Sequence, residues 1–315
     1  MKKLFLLSKE HLELAKQEVL ILANTKEFLL KDNLLIVETD KSFDKRLAYT
    51  RSTYQLLFQV EESQLEDKID DFKWNSIYKD NFCVRSFNTK LKESKIADLI
   101  WSKLDNPVTN LKNPKTNIHF IKAKKYVFCA LLLNKNKEDF KARKAHKRPS
   151  NHPTALHPKL ARCIINLTGI PSGPLVDPFC GAAGILIEAA LINLTPVGFD
   201  IEKAMLERAK KNLESLKIKN YELQLLDATK LSHPIDYIAT DLPYALNSKK
   251  QDLKKLYKDF LLTLDKILKK QAVIIFPHFI NHKLLLKGTK LKIINEFDYY
   301  LHKNLTKKIV ILKKA

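Results

Sequence analysis

VDPFCGAAGILIEAAL, residues 176–191, joins an apolar strand pattern to an apolar helix pattern through a glycine-containing turn. The strand pattern ends at Asp177, the chain turns at Cys180 and Gly181, and the helix opens near Gly184, which would let this helix pack tightly on the strand. Glycine permits close approach of the backbone to a ligand, and a helix N-terminus offers free N–H groups to an anion. We therefore predict a ligand loop at the carboxyl end of a parallel strand, with a purely structural tight turn as the alternative.

Strand and helix patterns alternate downstream of this loop, as they do in parallel α/β sheets. The strand patterns PVGFDI, YELQLLDA, DYIATDLP and AVIIFP are separated by helical patterns, and two further strands end the chain as a hairpin. This order favours an α/β fold with a seven-stranded Rossmann-like methyltransferase sheet over a dinucleotide-binding fold. Shorter strands and helices upstream predict a separate α+β region. The loop has no P-loop Lys-Ser/Thr pair, which disfavours a nucleoside triphosphate.

Basic residues are concentrated in one segment of the chain. The formal net charge is +21, from 56 basic and 35 acidic residues. Residues 1–80 contain 13 basic and 15 acidic residues, whereas residues 81–150 contain 17 and 5. A uniformly lysine-rich composition would not give this contrast, so the segment predicts binding to nucleic acid. The predicted RNA contacts are Arg85, Lys122, Lys124, Lys125, Arg143, Lys144, Lys147 and Arg148.

The sequence gives no sign of a membrane span, a secretory signal or a metal site. No apolar run approaches the ~20 residues that a spanning helix needs. The four cysteines lack metal-like spacing and predict reduced thiols in a cytoplasmic protein. His152 and His157 lie in a proline-broken loop, so we expect no metal there.

Two further acidic residues end strand patterns. Asp200 follows PVGF, where a carboxylate can accept both hydroxyls of a ribose; the alternative is a cap for the helix that begins at once. Asp227 ends YELQLLD, where a carboxylate can accept a hydrogen bond from an adenine amino group; the alternative is a turn residue at a strand end. Both positions fit a nucleoside-containing cofactor.

TDLPY, residues 240–244, resembles the (Asp/Asn)-Pro-Pro-Tyr motif of methyltransferases that act on planar exocyclic amines. The lone pair of such an amine is delocalised into the ring, so two acceptors that hold its N–H bonds favour a pyramidal, nucleophilic nitrogen. The Asp241 side chain and the Leu242 carbonyl can supply these acceptors, and Asp241 also stabilises positive charge developing on nitrogen. Tyr244 offers a face on which an extruded base can stack.

Two positions depart from that motif. Leu242 stands where the first proline is usual, and Ala245 where a glycine often follows. The Leu242 carbonyl survives the substitution, and Pro243 still restricts Leu242 to extended geometry. We therefore expect activity to be retained, with a catalytically inactive or partner-dependent tRNA-binding homologue as the alternative.

Several segments together resemble the archaeal tRNA guanine-10 N2-methyltransferase family: RPSNHPTALHPKLARCIINLTG, DPFCGAAGILIEAAL, GFDIEKAMLERAKKNL and TDLPYA, in order over residues 148–245. Upstream, NFCVRSFN and NLKNPKTNIHFI resemble a THUMP domain, an RNA-binding module. The resemblance implies a ferredoxin-like segment at 1–45, a THUMP-like RNA-binding domain at 46–140, a linker at 141–158 and a methyltransferase domain at 159–315.

The resemblance implies S-adenosylmethionine as cofactor and the N2 amine of a guanosine at tRNA position 10 as target, methylated once or twice. The family that modifies tRNA position 6 shares the architecture, and a small activating protein partner is compatible with the sequence. We expect the loop containing His152 and His157 to lie over the methionine end of the cofactor. Phe179 is either a cofactor contact or a core residue. The implied cofactor contacts are Asp177, Phe179, Cys180, Gly181, Gly184, Asp200, Ile201, Asp227, Ala228 and Asp241. The implied catalytic residues are Asp241, Leu242, Pro243 and Tyr244.

Overall fold

The chain forms two units, each built on a seven-stranded sheet. The computed structural model describes residues 1–150, 155–244, 250–302 and 305–314. Unit 1 comprises Met1–Leu12, Thr25–Lys45 and Thr50–Lys137. Unit 2 comprises Glu13–Asn24, Arg46–Tyr49 and Glu138–Ala315.

The elements of the first 137 residues include every strand of unit 1. They are β1 (Lys2–Leu7), α1 (Leu12–Ala23), β2 (Leu29–Lys31), β3 (Leu34–Glu38), β4 (Thr50–Glu61), α2 (Leu65–Asp71), β5 (Phe82–Phe87), α3 (Glu93–Trp101), β6 (Thr116–Ala123) and β7 (Tyr126–Lys135). The strand order is β2-β3-β1-β4-β7-β6-β5, and only β5 and β6 pair in parallel. Helices α2 and α3 contribute Ile69, Ile96 and Ile100 to a buried core with this sheet. The predicted α+β region is therefore present, and the THUMP assignment stays a prediction.

The remaining elements form the sheet of unit 2. They are α4 (Pro158–Leu167), β8 (Pro174–Asp177), α5 (Gly184–Ala190), β9 (Thr195–Asp200), α6 (Lys203–Ser215), β10 (Glu222–Leu225), β11 (Ile235–Asp241), α7 (Lys250–Ile267), β12 (Leu268–Pro277), α8 (His282–Leu285), β13 (Leu291–His302) and β14 (Leu305–Lys314). The strand order is β10-β9-β8-β11-β12-β14-β13. The first five strands are parallel, and β14 is antiparallel to both of its neighbours. The predicted seven-stranded sheet with a terminal hairpin is confirmed.

Helix α1 lies inside the segment predicted to span residues 1–45 and packs with unit 2. Its buried Glu18 accepts hydrogen bonds from the Ala48 N–H at 2.8 Å and the Tyr49 N–H at 3.0 Å. The Asn166 side-chain amide, on α4, donates a third bond at 2.7 Å. Burial raises the pKa of Glu18, and these donors oppose that rise. The apolar face of α1 predicts that this face is buried. It does not predict which of the two sheets the helix packs against.

The carboxyl edge of the unit 2 sheet collects acidic residues. Asp177, Asp200 and Asp241 are the last residues of β8, β9 and β11. These strands are parallel, so their ends lie at one edge of the sheet, where open α/β sheets bind ligands. Within the described ranges, no helix is long and apolar enough to span a bilayer.

Candidate active site

A cavity of about 440 Å³ lies at this carboxyl edge, a volume suited to a small-molecule ligand. Its walls come from the loops that follow β8, β9, β10 and β11. The structure brings every predicted cofactor and catalytic residue to this cavity: Asp177, Phe179, Cys180, Gly181, Gly184, Asp200, Ile201, Asp227, Ala228, Asp241, Leu242, Pro243 and Tyr244.

The cavity is acidic although the chain as a whole is strongly basic. Five carboxylates line it, and no lysine, arginine or histidine does so among the residues whose positions are described. Such a field disfavours a polyphosphate and attracts a cationic ligand. The acidic lining residues are Asp177, Asp200, Glu202, Asp227 and Asp241.

Asp200 ties the ligand loop to the end of β9. Its Oδ2 accepts the Gly181 N–H at 2.9 Å, and its Oδ1 accepts the Glu202 N–H at 2.9 Å. Gly181 has a φ of +48°, a conformation that glycine adopts readily. The N-cap of α6 is Glu202, so Asp200 is not that cap. Each carboxylate oxygen can accept a second bond, which leaves Asp200 able to receive ribose hydroxyls.

Asp177 is buried beneath the loop. Its Oδ1 accepts the Thr240 hydroxyl at 2.6 Å and the Phe179 N–H at 3.2 Å. Burial raises the pKa of Asp177 to about 7, and the neighbouring Asp241 and Asp200 carboxylates add to the rise. A cation in the cavity would relieve this accumulation of negative charge.

Gly198, rather than Gly184, permits close packing of helix α5 on the sheet. A Cβ atom on Gly198 would lie 2.5 Å from Leu186 Cδ1 and 2.9 Å from Cys180 Sγ. A Cβ on Gly184 would lie 3.5 Å from the nearest atom, Nη1 of Arg148, which is ordinary contact. The sequence interpretation of Gly184 as the packing glycine was therefore wrong.

Asp227 and Phe179 have structural roles in addition to lining the cavity. Asp227 accepts bonds from the Thr229 N–H at 2.9 Å and the Thr229 hydroxyl at 2.7 Å, so the turn role foreseen as the alternative is real. The Phe179 ring meets the Phe260 ring edge to face, with centroids 5.0 Å apart. Neither contact prevents these residues from facing a ligand.

Asp241 pairs with a lysine that the sequence analysis missed. Its Oδ2 lies 2.5 Å from Nζ of Lys307. Its Oδ1 is buried and has no hydrogen-bond partner within the described part of the chain. Burial raises the pKa of Asp241, and Lys307 opposes this rise. Buried polar atoms are rarely left unsatisfied, so an Oδ1 without a partner in the described ranges is available to accept a hydrogen bond from a ligand.

Two hydrogen bonds hold the loop after Asp241. The Leu242 N–H donates to the Ile275 carbonyl at 3.1 Å, and the Leu242 side chain is fully buried. The Tyr257 hydroxyl donates to the Pro243 carbonyl at 2.5 Å. A proline at position 242 could not make the first bond. This bond gives a structural reason for the departure from the motif; Ala245 lies outside the described residues.

The ammonium of Lys307 lies over one face of the Tyr244 ring, 4.7 Å from its centroid. Its hydroxyl is buried and has no partner in the described ranges. Lys307 pairs with Pro277, the last residue of β12, because β14 starts at the edge where the parallel strands end. No local sequence pattern marks this long-range contact.

In unit 1, three of the four predicted RNA contacts bind neighbouring carboxylates. Arg85 lies 2.8 Å from Glu93, Lys122 lies 2.6 Å from Glu62, and Lys125 lies 2.5 Å from Glu61. The fourth, Lys124, is exposed in the turn between β6 and β7. Of these residues, Lys124 and Lys125 are the most accessible to a polyanion.

In unit 2, the basic segment is partly buried. Arg143 binds buried Glu188 at 2.8 Å and also contacts Glu138. Arg148 is 8% exposed and its Nε donates to the Arg143 carbonyl. This burial disagrees with the expectation that Arg148 contacts RNA, since composition alone does not reveal which basic side chains fold inward. Lys147 is exposed, and Lys144 is half-buried.

The predicted histidine loop is described only in part. His157 caps helix α4, with Nδ1 accepting the Lys159 N–H at 3.2 Å, whereas His152 lies outside the described residues. Within the described ranges, no group of three or more His, Cys, Asp or Glu side chains is arranged to hold a metal.

Comparison with known proteins identifies the family. The family model described as "UPF0020: RMKL-like, methyltransferase domain" matches residues 145–307. The tRNA (guanine(10)-N2)-dimethyltransferase of Pyrococcus abyssi is 30% identical, over 96% of both chains. The enzyme of the same name from Methanothermobacter thermautotrophicus is 28% identical, over the full length of both. The chain belongs to this tRNA (guanine(10)-N2)-dimethyltransferase family.

The fold comparison agrees with this membership. TrmN from Thermus thermophilus superposes with a TM-score of 0.51 at 15% identity, and the match covers all of both chains. This likeness concerns the fold alone. Family membership confirms the predicted class of methyltransferase with S-adenosylmethionine as methyl donor. The acidic cavity fits that donor, because its sulfonium is a cation and its adenosine has a ribose to bind.

Proposed function

We propose that this protein transfers a methyl group from S-adenosylmethionine to the N2 amine of a guanosine in tRNA, at position 10, once or twice. The single observation that carries the proposal is the buried Oδ1 of Asp241, which has no partner among the described residues and faces an acidic cavity. The names of the relatives supply the target base and position. Position 6 of tRNA is the second candidate, since the family that modifies this position shares the architecture that the sequence resembles.

Each part of the donor has a matching group in the cavity. Asp200 would receive the ribose hydroxyls, and Asp227 with Ala228 would hold the adenine. The loop from Cys180 to Gly184, before helix α5, would hold the methionine end. When bound, the donor supplies an electrophilic methyl group on a positively charged sulfur. The carboxylates around it stabilise that charge and favour binding of the cationic donor over its neutral product.

The residues after β11 would prepare the amine. Asp241 Oδ1 accepts one N–H bond and the Leu242 carbonyl accepts the other, which localises the lone pair on nitrogen. A bound donor would supply the methyl group to this nitrogen, and Asp241 would be placed to receive the proton that the amine loses. Tyr244 stacks the base on the ring face opposite Lys307. The Tyr257–Pro243 hydrogen bond limits movement of this wall during the transfer.

Unit 1 is the proposed docking module for tRNA. Double-stranded RNA is read mostly by its shape and backbone, for which the exposed Lys124 and Lys125 of unit 1 are suited, as is the exposed Lys147 of unit 2. The four free cysteines are buried, in keeping with a reducing cytoplasm. A small activating protein partner stays an untested expectation.

The competing proposal is a tRNA-binding homologue without activity, suggested by Leu242. The hydrogen bond of Leu242 to Ile275 argues against it, since this bond fixes the loop that a proline would otherwise stiffen. The test is transfer of labelled methyl from S-adenosylmethionine to unmodified tRNA transcripts, with Asp241→Ala beside the wild type. Asp236→Ala is the matched control, because Asp236 lies on the same strand but is half-exposed and pairs with Lys270. Transfer lost only in Asp241→Ala supports the proposal; tRNA binding without transfer by the wild type favours the inactive homologue.

A further inference from the structure

Lys307 is a buried lysine at the active edge of the sheet. Its side chain is 7% exposed, and lysine is rarely buried without a partner. Strand β14 runs antiparallel to β12, so its first residues reach the edge at which β11 and β12 end. Lys307, on β14, thus contacts Asp241, which lies 66 residues earlier in the chain.

The ammonium of Lys307 contacts two groups of the catalytic wall at once. It donates to Asp241 Oδ2 at 2.5 Å and lies 4.7 Å from the Tyr244 ring centroid. The first contact is a short charge-assisted hydrogen bond, and the second is within the range of a cation–π interaction. The arrangement leaves Asp241 Oδ1 free of described partners.

We infer that Lys307 is a positioning residue for methyl transfer, which keeps Asp241 ionised with Oδ1 available to the amine and holds the Tyr244 ring for stacking. This inference rests on the proposed function. It adds to that function a residue outside the recognised motif, contributed by the terminal hairpin.

The surroundings of Asp241 explain why an ammonium is needed. Besides Lys307 from β14, the described titratable groups that interact with Asp241 are Asp177 from β8, Tyr257 from α7 and Tyr244 in its own loop. None of these three is a cation. Burial raises the pKa of Asp241, and Lys307 is the group that opposes this. Without Lys307 the pKa of this buried carboxyl would rise further, and at lower pH the base would lose a charged acceptor.

The first test measures single-turnover methyl transfer to tRNA from pH 6 to 9.5, at saturating donor and tRNA. Lys307→Met removes the charge at similar length, and Lys307→Arg retains it. Lys308→Met is the matched control, because Lys308 is the next residue and pairs with Asp298 at 2.7 Å. Donor affinity and thermal melting are measured for each variant, so that loss of folding is seen directly.

We expect Lys308→Met to follow the pH profile of the wild type. Lys307→Met should lose the most rate at pH 6 and regain about 5-fold or more of that loss by pH 9.5, as its Asp241 ionises. Lys307→Arg should stay within about 5-fold of the wild type throughout, since its charge is retained. A purely structural role for Lys307 would lower the rate equally at every pH, and that result overturns the inference.

The second test requires no RNA. At pH 8 the double variant Asp241→Asn/Lys307→Met should melt at a higher temperature than Lys307→Met, because it no longer buries an uncompensated carboxylate. In the wild-type background Asp241→Asn should lower the melting temperature, because it leaves Lys307 unpaired. If Asp241→Asn changes the melting temperature in the same direction in both backgrounds, the ion-pair role of Lys307 is contradicted. Absence of transfer by the wild type at every pH would overturn the proposed function itself, and this role for Lys307 with it.

Discussion

The backbone N–H of Leu242 donates a hydrogen bond to the carbonyl oxygen of Ile275, across a distance of 3.1 Å. This bond continues the pairing of β11 with β12 one residue beyond Asp241. The (Asp/Asn)-Pro-Pro-Tyr motif that this segment resembles has a proline at this position, and proline has no N–H to donate. The leucine therefore fixes the loop by a sheet hydrogen bond and by full burial of its side chain.

Restoring the usual proline should harm this protein rather than improve it. Leu242→Pro removes the bond to Ile275 and part of a buried side chain, so we expect a loss of about 2–4 kcal/mol in the free energy of unfolding. Leu242→Ala keeps the N–H and removes only side-chain atoms, so it separates the contribution of the hydrogen bond from that of the buried side chain. Urea denaturation measures both variants. Higher stability and a faster transfer rate in Leu242→Pro would show that the sheet bond has no such role.

The hydroxyl of Tyr257 should affect the transfer step more than donor binding. Tyr257→Phe leaves the Pro243 carbonyl without its donor, which should cost about 1–2 kcal/mol of stability and lower the transfer rate roughly 5- to 20-fold. Single-turnover rates and donor dissociation constants separate the two effects. Tyr237→Phe on β11 is the matched control, since Tyr237 contacts Lys270 and is not part of the cavity. Equal rates for Tyr257→Phe and the wild type would contradict this expectation.

Two glycines should respond differently to alanine. In Gly198→Ala the new Cβ would meet Leu186 and Cys180 inside contact distance, so we expect a loss of about 1–3 kcal/mol in stability. Gly184→Ala has ordinary contact distances and should change stability by less than about 1 kcal/mol. Thermal or chemical denaturation of both variants decides the matter. A larger loss in Gly184→Ala would reverse the assignment.

Asp177 should make the stability of the protein depend on pH. Its pKa is raised from the ordinary 3.8 to about 7 in the folded protein, chiefly by burial. The folded protein then binds a proton at Asp177 more tightly than the unfolded chain does. The contribution of Asp177 to the free energy of unfolding is therefore complete below about pH 4 and is lost as pH rises through about 7.

Asp177→Asn removes this titration and retains the Oδ1 acceptor for Thr240. Its stability relative to the wild type should therefore rise between pH 4 and pH 8, by up to about 4 kcal/mol. Denaturation curves across that range, with half-exposed Asp236→Asn as control, provide the measurement. Parallel pH profiles for Asp177→Asn and the wild type would refute the raised pKa.

The cavity could be predicted from the sequence because its residues follow local patterns. Asp177, Asp200 and Asp241 each end an apolar strand, and parallel strands end at one edge. In the structure these residues line one cavity, as the strand patterns predict. The glycine-containing turn also lies between a strand and a helix, as the change of pattern predicts.

Contacts between residues distant in sequence could not be predicted in this way. Lys307 reaches Asp241 only through the antiparallel pairing of β14, which no local pattern encodes. Arg148 is basic and lies in an irregular segment, which suggested exposure, yet it is buried against Arg143. Helix α1 has an apolar face that does not identify the sheet it packs on. Burial and partner choice are set by tertiary packing in each of these cases.

The most direct test of the central claim is to identify and map the methylated nucleoside by mass spectrometry. Unmodified tRNA is incubated with S-adenosylmethionine and either the wild-type protein or Asp241→Asn, then digested and sequenced by fragment mass. We predict N2-methylguanosine or N2,N2-dimethylguanosine at position 10 alone, absent with Asp241→Asn. A methyl group on another type of base, or the same product from both proteins, would contradict the account.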